Sequence, residues 1–212
     1  MSFLKSVLFG CEGSYNIFGT PVTFERELPS DWTRNPPDLK GVDLISQLAS
    51  KCINSNAFRL VTQGYIHLFI HEMSHALACK FVVGLNAKVT IFTSACVSRA
   101  RFPQEMFSVE AWRQTFVSVA GPIGNIAFCA CKLVVATRFK KYLSWPLALV
   151  LGSGAVIWMC GELLYAYTSA SKKDGGDFGK IACHGNTHLA LASTALIGQL
   201  ALGTFAAIKL SD

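Results

Sequence analysis

Two histidines and a glutamate stand within an apolar run from about Val61 to Val83, in the order His71-Glu72-Met73-Ser74-His75. As an α-helix, such a run covers the roughly 30 Å hydrocarbon thickness of a bilayer. Few folds accept polar groups there. Burying an imidazole or a carboxylate without a partner is costly, so ionisable residues in apolar segments mark function. Positions four apart share one face of a helix, so His71 and His75 can aim at a single metal ion with Glu72 beside them. This is the geometry of a zinc hydrolase helix, and a catalytic zinc needs a third protein ligand and an open position for water.

The surroundings of the motif argue for a membrane. Of the 212 residues, 51% are hydrophobic and 15% charged, against about 25% charged in soluble domains. The net charge of +6 does not come from a dense basic block with interleaved aromatics, which excludes a nucleic-acid partner; cations flanking apolar segments explain it. The eight cysteines are scattered, with no CxxC pair, and read as small apolar residues rather than a disulfide or zinc framework. The apolar run before Glu12 is too short for an ordinary signal peptide.

Residues 1–58 read as an extramembrane or interfacial segment. Pro29-Ser30-Asp31 and Asn35-Pro36-Pro37-Asp38 interrupt any long helix, and 39–57 has the spacing of a short amphipathic helix. Residues 59–212 form the core. Its first span is the HEMSH run, in which His67 shares the face of His71. Alternation and β-branched residues between Asn86 and Phe102 predict one or two strands at the membrane surface. A second span, from about Trp112 to Thr137, contains Ala120-Gly121-Pro122-Ile123-Gly124-Asn125, which predicts a kinked, closely packed helix with Asn125 pointing inward. A third runs from about Pro146 to Thr168 and carries Glu162, an acid with no evident role. A fourth runs from about His188 to Ile208. The fold expected is a mainly α, polytopic membrane helical bundle of about four spans, with a small β hairpin between spans one and two. Lysines and arginines are balanced across the spans, so no orientation follows.

Two aspartates compete for the third ligand position. Asp174 is followed by Gly175-Gly176, which let the backbone turn sharply toward a metal; Asp177, preceded by glycine, is the near competitor. Cys183, His184 and His188 form a rival set, but Gly185 and Asn186 disfavour the continuous helix it needs.

Three motifs now stand in one order: HEMSH in an apolar helix, AGPIGN in the next, and an Asp-Gly-Gly turn before the last. That order resembles the site-2 protease family of intramembrane zinc metalloproteases, over about Val61 to Ile181. The resemblance implies a compact member without a PDZ-like insertion, holding one Zn2+ per chain through His71, His75 and Asp174, with Glu72 as the catalytic acid/base. Gly121, Pro122 and Asn125 match the family's Gly-Pro-x-x-Asn element and are the substrate-positioning residues by that match. Where the family has Asn-Leu-x-Pro ahead of its aspartate, this chain has Glu162-Leu163-Leu164-Tyr165. The expected activity is zinc-dependent hydrolysis of peptide bonds in membrane-anchored proteins, within an integral, multi-pass protein whose partners are that substrate and the lipid bilayer. The alternative is a non-catalytic metal-binding scaffold or escort that keeps the fold.

Overall fold

In the computed structural model of the chain, residues 2–28, 63–94, 97–139, 141–172 and 176–209 are described. The amphipathic helix expected over 39–57 lies outside them, as does Asp174. The elements in order are α1 (Phe3–Phe9), β1 (Gly13–Ile17), β2 (Thr20–Glu25), α2 (Gly64–Ala78), a π turn (Cys79–Val83), β3 (Lys88–Phe92), β4 (Val97–Arg101), a 3-10 turn (Gln104–Ser108), α3 (Ala111–Arg138), α4 (Trp145–Lys172), α5 (Asp177–Cys183) and α6 (Asn186–Lys209).

Helices dominate, as the sequence predicts. Three of them, α3, α4 and α6, are long and apolar enough to cross a membrane, and they coincide with the second, third and fourth expected spans. The helix bearing HEMSH is shorter. Its 15 residues cover about 22 Å, and it passes into the π turn, which Gly84 terminates at φ +81°, a left-handed conformation that suits glycine. Conversely, α4 continues to Lys172, past its expected end at Thr168. Thr168 and Ser171 turn their hydroxyls back onto the Leu164 and Thr168 carbonyls, so these polar residues sit in the helix without breaking it.

The expected hairpin between α2 and α3 is present as β3 and β4, which pair antiparallel from Lys88↔Arg101 to Phe92↔Val97. It is half of a larger sheet. The strand order is β1-β2-β3-β4, with β1 and β2 antiparallel and β2 parallel to β3. Residues 13–25 are thus hydrogen-bonded into the same sheet as 88–101. As an inner strand, β3 buries Val89, Thr90, Ile91 and Phe92 on both faces, where alternation alone would bury one.

Two cores follow from this arrangement. Val22, Phe24, Val89 and Ile91 pack against Tyr65, Met73 and Ala76 of α2, and the Tyr65 hydroxyl donates to the Thr93 carbonyl at 2.9 Å. The helical core joins Val119, Ile126 and Cys129 of α3 to Met159, Phe178, Ile181 and Leu196. Helix α3 is the hub, touching α2, α4, α5 and α6, while α2 lies between it and the sheet. The outer faces of α4 and α6 expose Leu149, Val156, Leu164, Leu191, Leu202 and Phe205, an apolar surface of the kind that lipid covers. Among the described cysteines all are free; Cys79 and Cys129 are buried, but Cys131, Cys160 and Cys183 are exposed rather than interior.

Candidate metal centre

The helical period brings His71 and His75 to one face of α2, and that face meets the start of α5. There Asp177 presents Oδ2 to His71 Nε2 at 3.1 Å and to His75 Nε2 at 3.2 Å, and the two Nε2 atoms lie 3.1 Å apart. His71, His75 and Asp177 are the group of His, Cys, Asp and Glu residues that can hold a metal ion among the described residues. The carboxylate beside the histidines is therefore that of Asp177, the competitor in the sequence; Asp174 is not among the described residues.

The hydrogen bonds behind these atoms determine what they can bind. His75 Nδ1 donates to the Val117 carbonyl at 2.7 Å, which can only accept, so the proton of neutral His75 lies on Nδ1. His71 Nδ1 faces Glu162 Oε1 and its Nε2 faces Asp177 Oδ2, both at 3.1 Å; with the His71 proton on Nδ1, donated to Glu162, Nε2 is left for the site. Both Nε2 atoms then point bare lone pairs at each other and at a carboxylate oxygen. Three acceptors in mutual contact repel unless a positive species stands between them. A proton bridges one pair; a metal ion serves all three. The separations also fit, since ligand atoms at the usual zinc distance of about 2.0–2.1 Å in tetrahedral array lie about 3.3 Å apart.

Asp177 lies outside the three helices long enough to span. Burial alone would raise its carboxyl pKa; when His75 and His71 carry the bridging protons, their positive charge outweighs that and holds it well below the usual carboxylate range. Tyr165 fixes its orientation: the phenol accepts from the Asp177 N–H at 3.0 Å and donates to Oδ2 at 3.3 Å. Glu72 is buried, and Ser98 of β4 donates to its Oε1 at 2.8 Å.

The AGPIGN stretch works through close approach. A Cβ at Gly121 would collide with the His75 imidazole, and one at Gly124 with the Ser74 side chain, so these glycines let α2 and α3 touch beside His75. Pro122 lies inside α3, which continues through it. Asn125 points inward as predicted and is fully buried. Both ends of its amide are engaged: Oδ1 accepts from His67 Nδ1 at 2.5 Å, and Nδ2 donates to Glu162 Oε1 at 2.6 Å.

His67 does not join the metal-binding group. It stacks on Trp158, with ring centroids 4.7 Å apart, and its Nε2 lies 3.0 Å from Lys132 Nζ. The rival set is also not assembled: the His184 and His188 rings are 5.9 Å apart and His188 Nδ1 pairs with Thr115 Oγ1 at 3.0 Å. The residues that sequence reasoning left without a role are Glu162 and Tyr165. Spaced i, i+3 on α4, they share a face, and an acid in an apolar helix was the signal for the first of them. They occupy the stretch in which the chain departs from the Asn-Leu-x-Pro pattern. No protein-family model matches the chain, and neither do curated proteins or solved structures.

Proposed function

We propose that this chain is a zinc-dependent intramembrane endopeptidase that hydrolyses peptide bonds of membrane-anchored proteins. The observation that carries this reading is the convergence of three lone-pair donors, His71 Nε2, His75 Nε2 and Asp177 Oδ2, beside a buried glutamate one residue along from the first of them. A metal scaffold needs the three donors; it has no use for Glu72. Helices α3, α4 and α6 would cross the bilayer, and α2, packed against α3, would be the fourth segment at bilayer depth.

His71, His75 and Asp177 would hold the ion, which supplies a Lewis acid that polarises a peptide carbonyl and acidifies water. Ser98 holds one oxygen of Glu72, and the other takes a proton from the attacking water and returns it to the leaving amine nitrogen. The outward faces of α4 and α6 would meet lipid. A transmembrane substrate hides its carbonyls in internal hydrogen bonds, so it must unwind locally before cleavage.

Two measurements on detergent-purified full chain test this. Metal analysis should find one zinc per wild-type chain and none in His71→Ala. Glu72→Gln should keep the zinc but lower cleavage of a membrane-anchored reporter about 100-fold or more. Cleavage by Glu72→Gln at the wild-type rate would sink the hydrolase reading, and a folded wild type that takes up no zinc would sink the metal site.

A further inference from the structure

We infer that Glu162 is a positioning residue for His71, and that the buried chain Lys132, His67 and Asn125 exists to hold it there. This rests on the metal site proposed above. Glu162 belongs to α4, a helix apolar enough to cross a membrane, yet its side chain is buried. One oxygen, Oε1, receives both the His71 Nδ1 proton at 3.1 Å and the Asn125 amide at 2.6 Å. The other, Oε2, is buried with no hydrogen-bond partner among the described residues. For the fold alone this is a poor choice, because a half-satisfied buried carboxylate costs stability that an apolar side chain of similar size would not.

What the carboxylate does accomplish is local. It holds the His71 proton on Nδ1 and so leaves Nε2 bare toward the site, and its negative charge makes the imidazole a stronger donor to a cation. The groups behind it are ordered by the same logic. Lys132 Nζ donates to His67 Nε2, His67 Nδ1 to Asn125 Oδ1, and Asn125 Nδ2 to Glu162 Oε1. Each contact along this path pairs a donor with an acceptor, and its two ends carry opposite charge, so the carboxylate is compensated within the protein. His75 has no such anchor; the neutral Val117 carbonyl orients it. The two histidines of the motif are therefore unequal ligands, with His71 the one tuned by charge.

The test is the zinc affinity of the full chain in detergent, by competition with a chromophoric chelator, for wild type, Glu162→Ala and Glu162→Gln, with a thermal melt of each. Glu162→Ala should bind zinc about 10- to 100-fold more weakly. Glu162→Gln should lose less, because its amide oxygen still accepts from His71 Nδ1 while the charge is gone. The visible spectrum of the Co2+-loaded protein should shift in the Ala variant. Wild-type zinc affinity in folded Glu162→Ala, with only Tm lowered, would overturn the proposal by reducing Glu162 to a fold residue. If the Ala variant does not fold, wild-type affinity in Glu162→Gln overturns it equally. Failure of the hydrolase reading is seen separately, as cleavage by Glu72→Gln, and leaves the zinc affinities to decide the role of Glu162.

Discussion

Two polar regions lie side by side in the interior, joined at His71, and they are built on opposite rules. In the path from Lys132 through His67 and Asn125 to Glu162, each contact pairs an N–H with an acceptor, so the path holds together without a guest. Among His71, His75 and Asp177, lone pair faces lone pair within 3.2 Å, and the set is complete only with a cation. Both regions place buried histidines on the same helix, eight residues or fewer apart. Burial of a histidine therefore says little about its task; the kind of atom opposite each ring nitrogen says what it is for.

The largest expected effect separates the two regions directly. His75→Ala should abolish zinc binding by metal analysis, whereas His67→Ala should still bind one zinc per chain, more weakly because Glu162 loses its support, and lose roughly 1–3 kcal/mol of stability, since it strands Asn125 Oδ1 and Lys132 Nζ in the interior. Equal loss of zinc in both variants would erase the distinction. The aspartates come next. Asp177→Ala should lose the metal while Asp174→Ala keeps it, and the reverse result would put the third ligand in the glycine turn instead.

A smaller effect probes the close approach of α2 and α3. Gly121→Ala drives a methyl group into the His75 imidazole, so zinc affinity should fall while the secondary structure seen by circular dichroism persists. Gly198→Ala is its counterpart at a helical position where a Cβ would meet nothing within 4 Å. It should leave zinc affinity unchanged and stabilise by about 0.5–1 kcal/mol through helix propensity. Loss of zinc affinity in both glycine variants would mean that helix rigidity, rather than contact with His75, is what the metal site feels.

Much of the framework can be read from local pattern. The three long apolar helices match their expected spans to within a few residues, because apolar composition and the lack of breakers are local properties. The strands β3 and β4 follow from alternation. The pairing of residues 13–25 with them does not, although Val22 and Phe24, alternating inward beyond the Phe18-Gly19 turn, are the signal that could have found β2. Both turn residues have positive φ, at 52° and 79°, a conformation the tight hairpin demands and one that Phe18 does not advertise.

The sequence by itself determined that the two imidazoles share a helix face with Glu72 adjacent in the chain, since a spacing of four and a period of 3.6 permit nothing else for the histidines. It also determined that this helix keeps company with three others apolar enough to cross a membrane. Only the tertiary structure decided that Asp177 stands against them, that Gly121 is small to admit His75, that Asn125 faces Glu162, and that Glu162 backs His71. These are contacts between residues 37 to 106 positions apart, and no periodicity within one helix records which face of another it will meet.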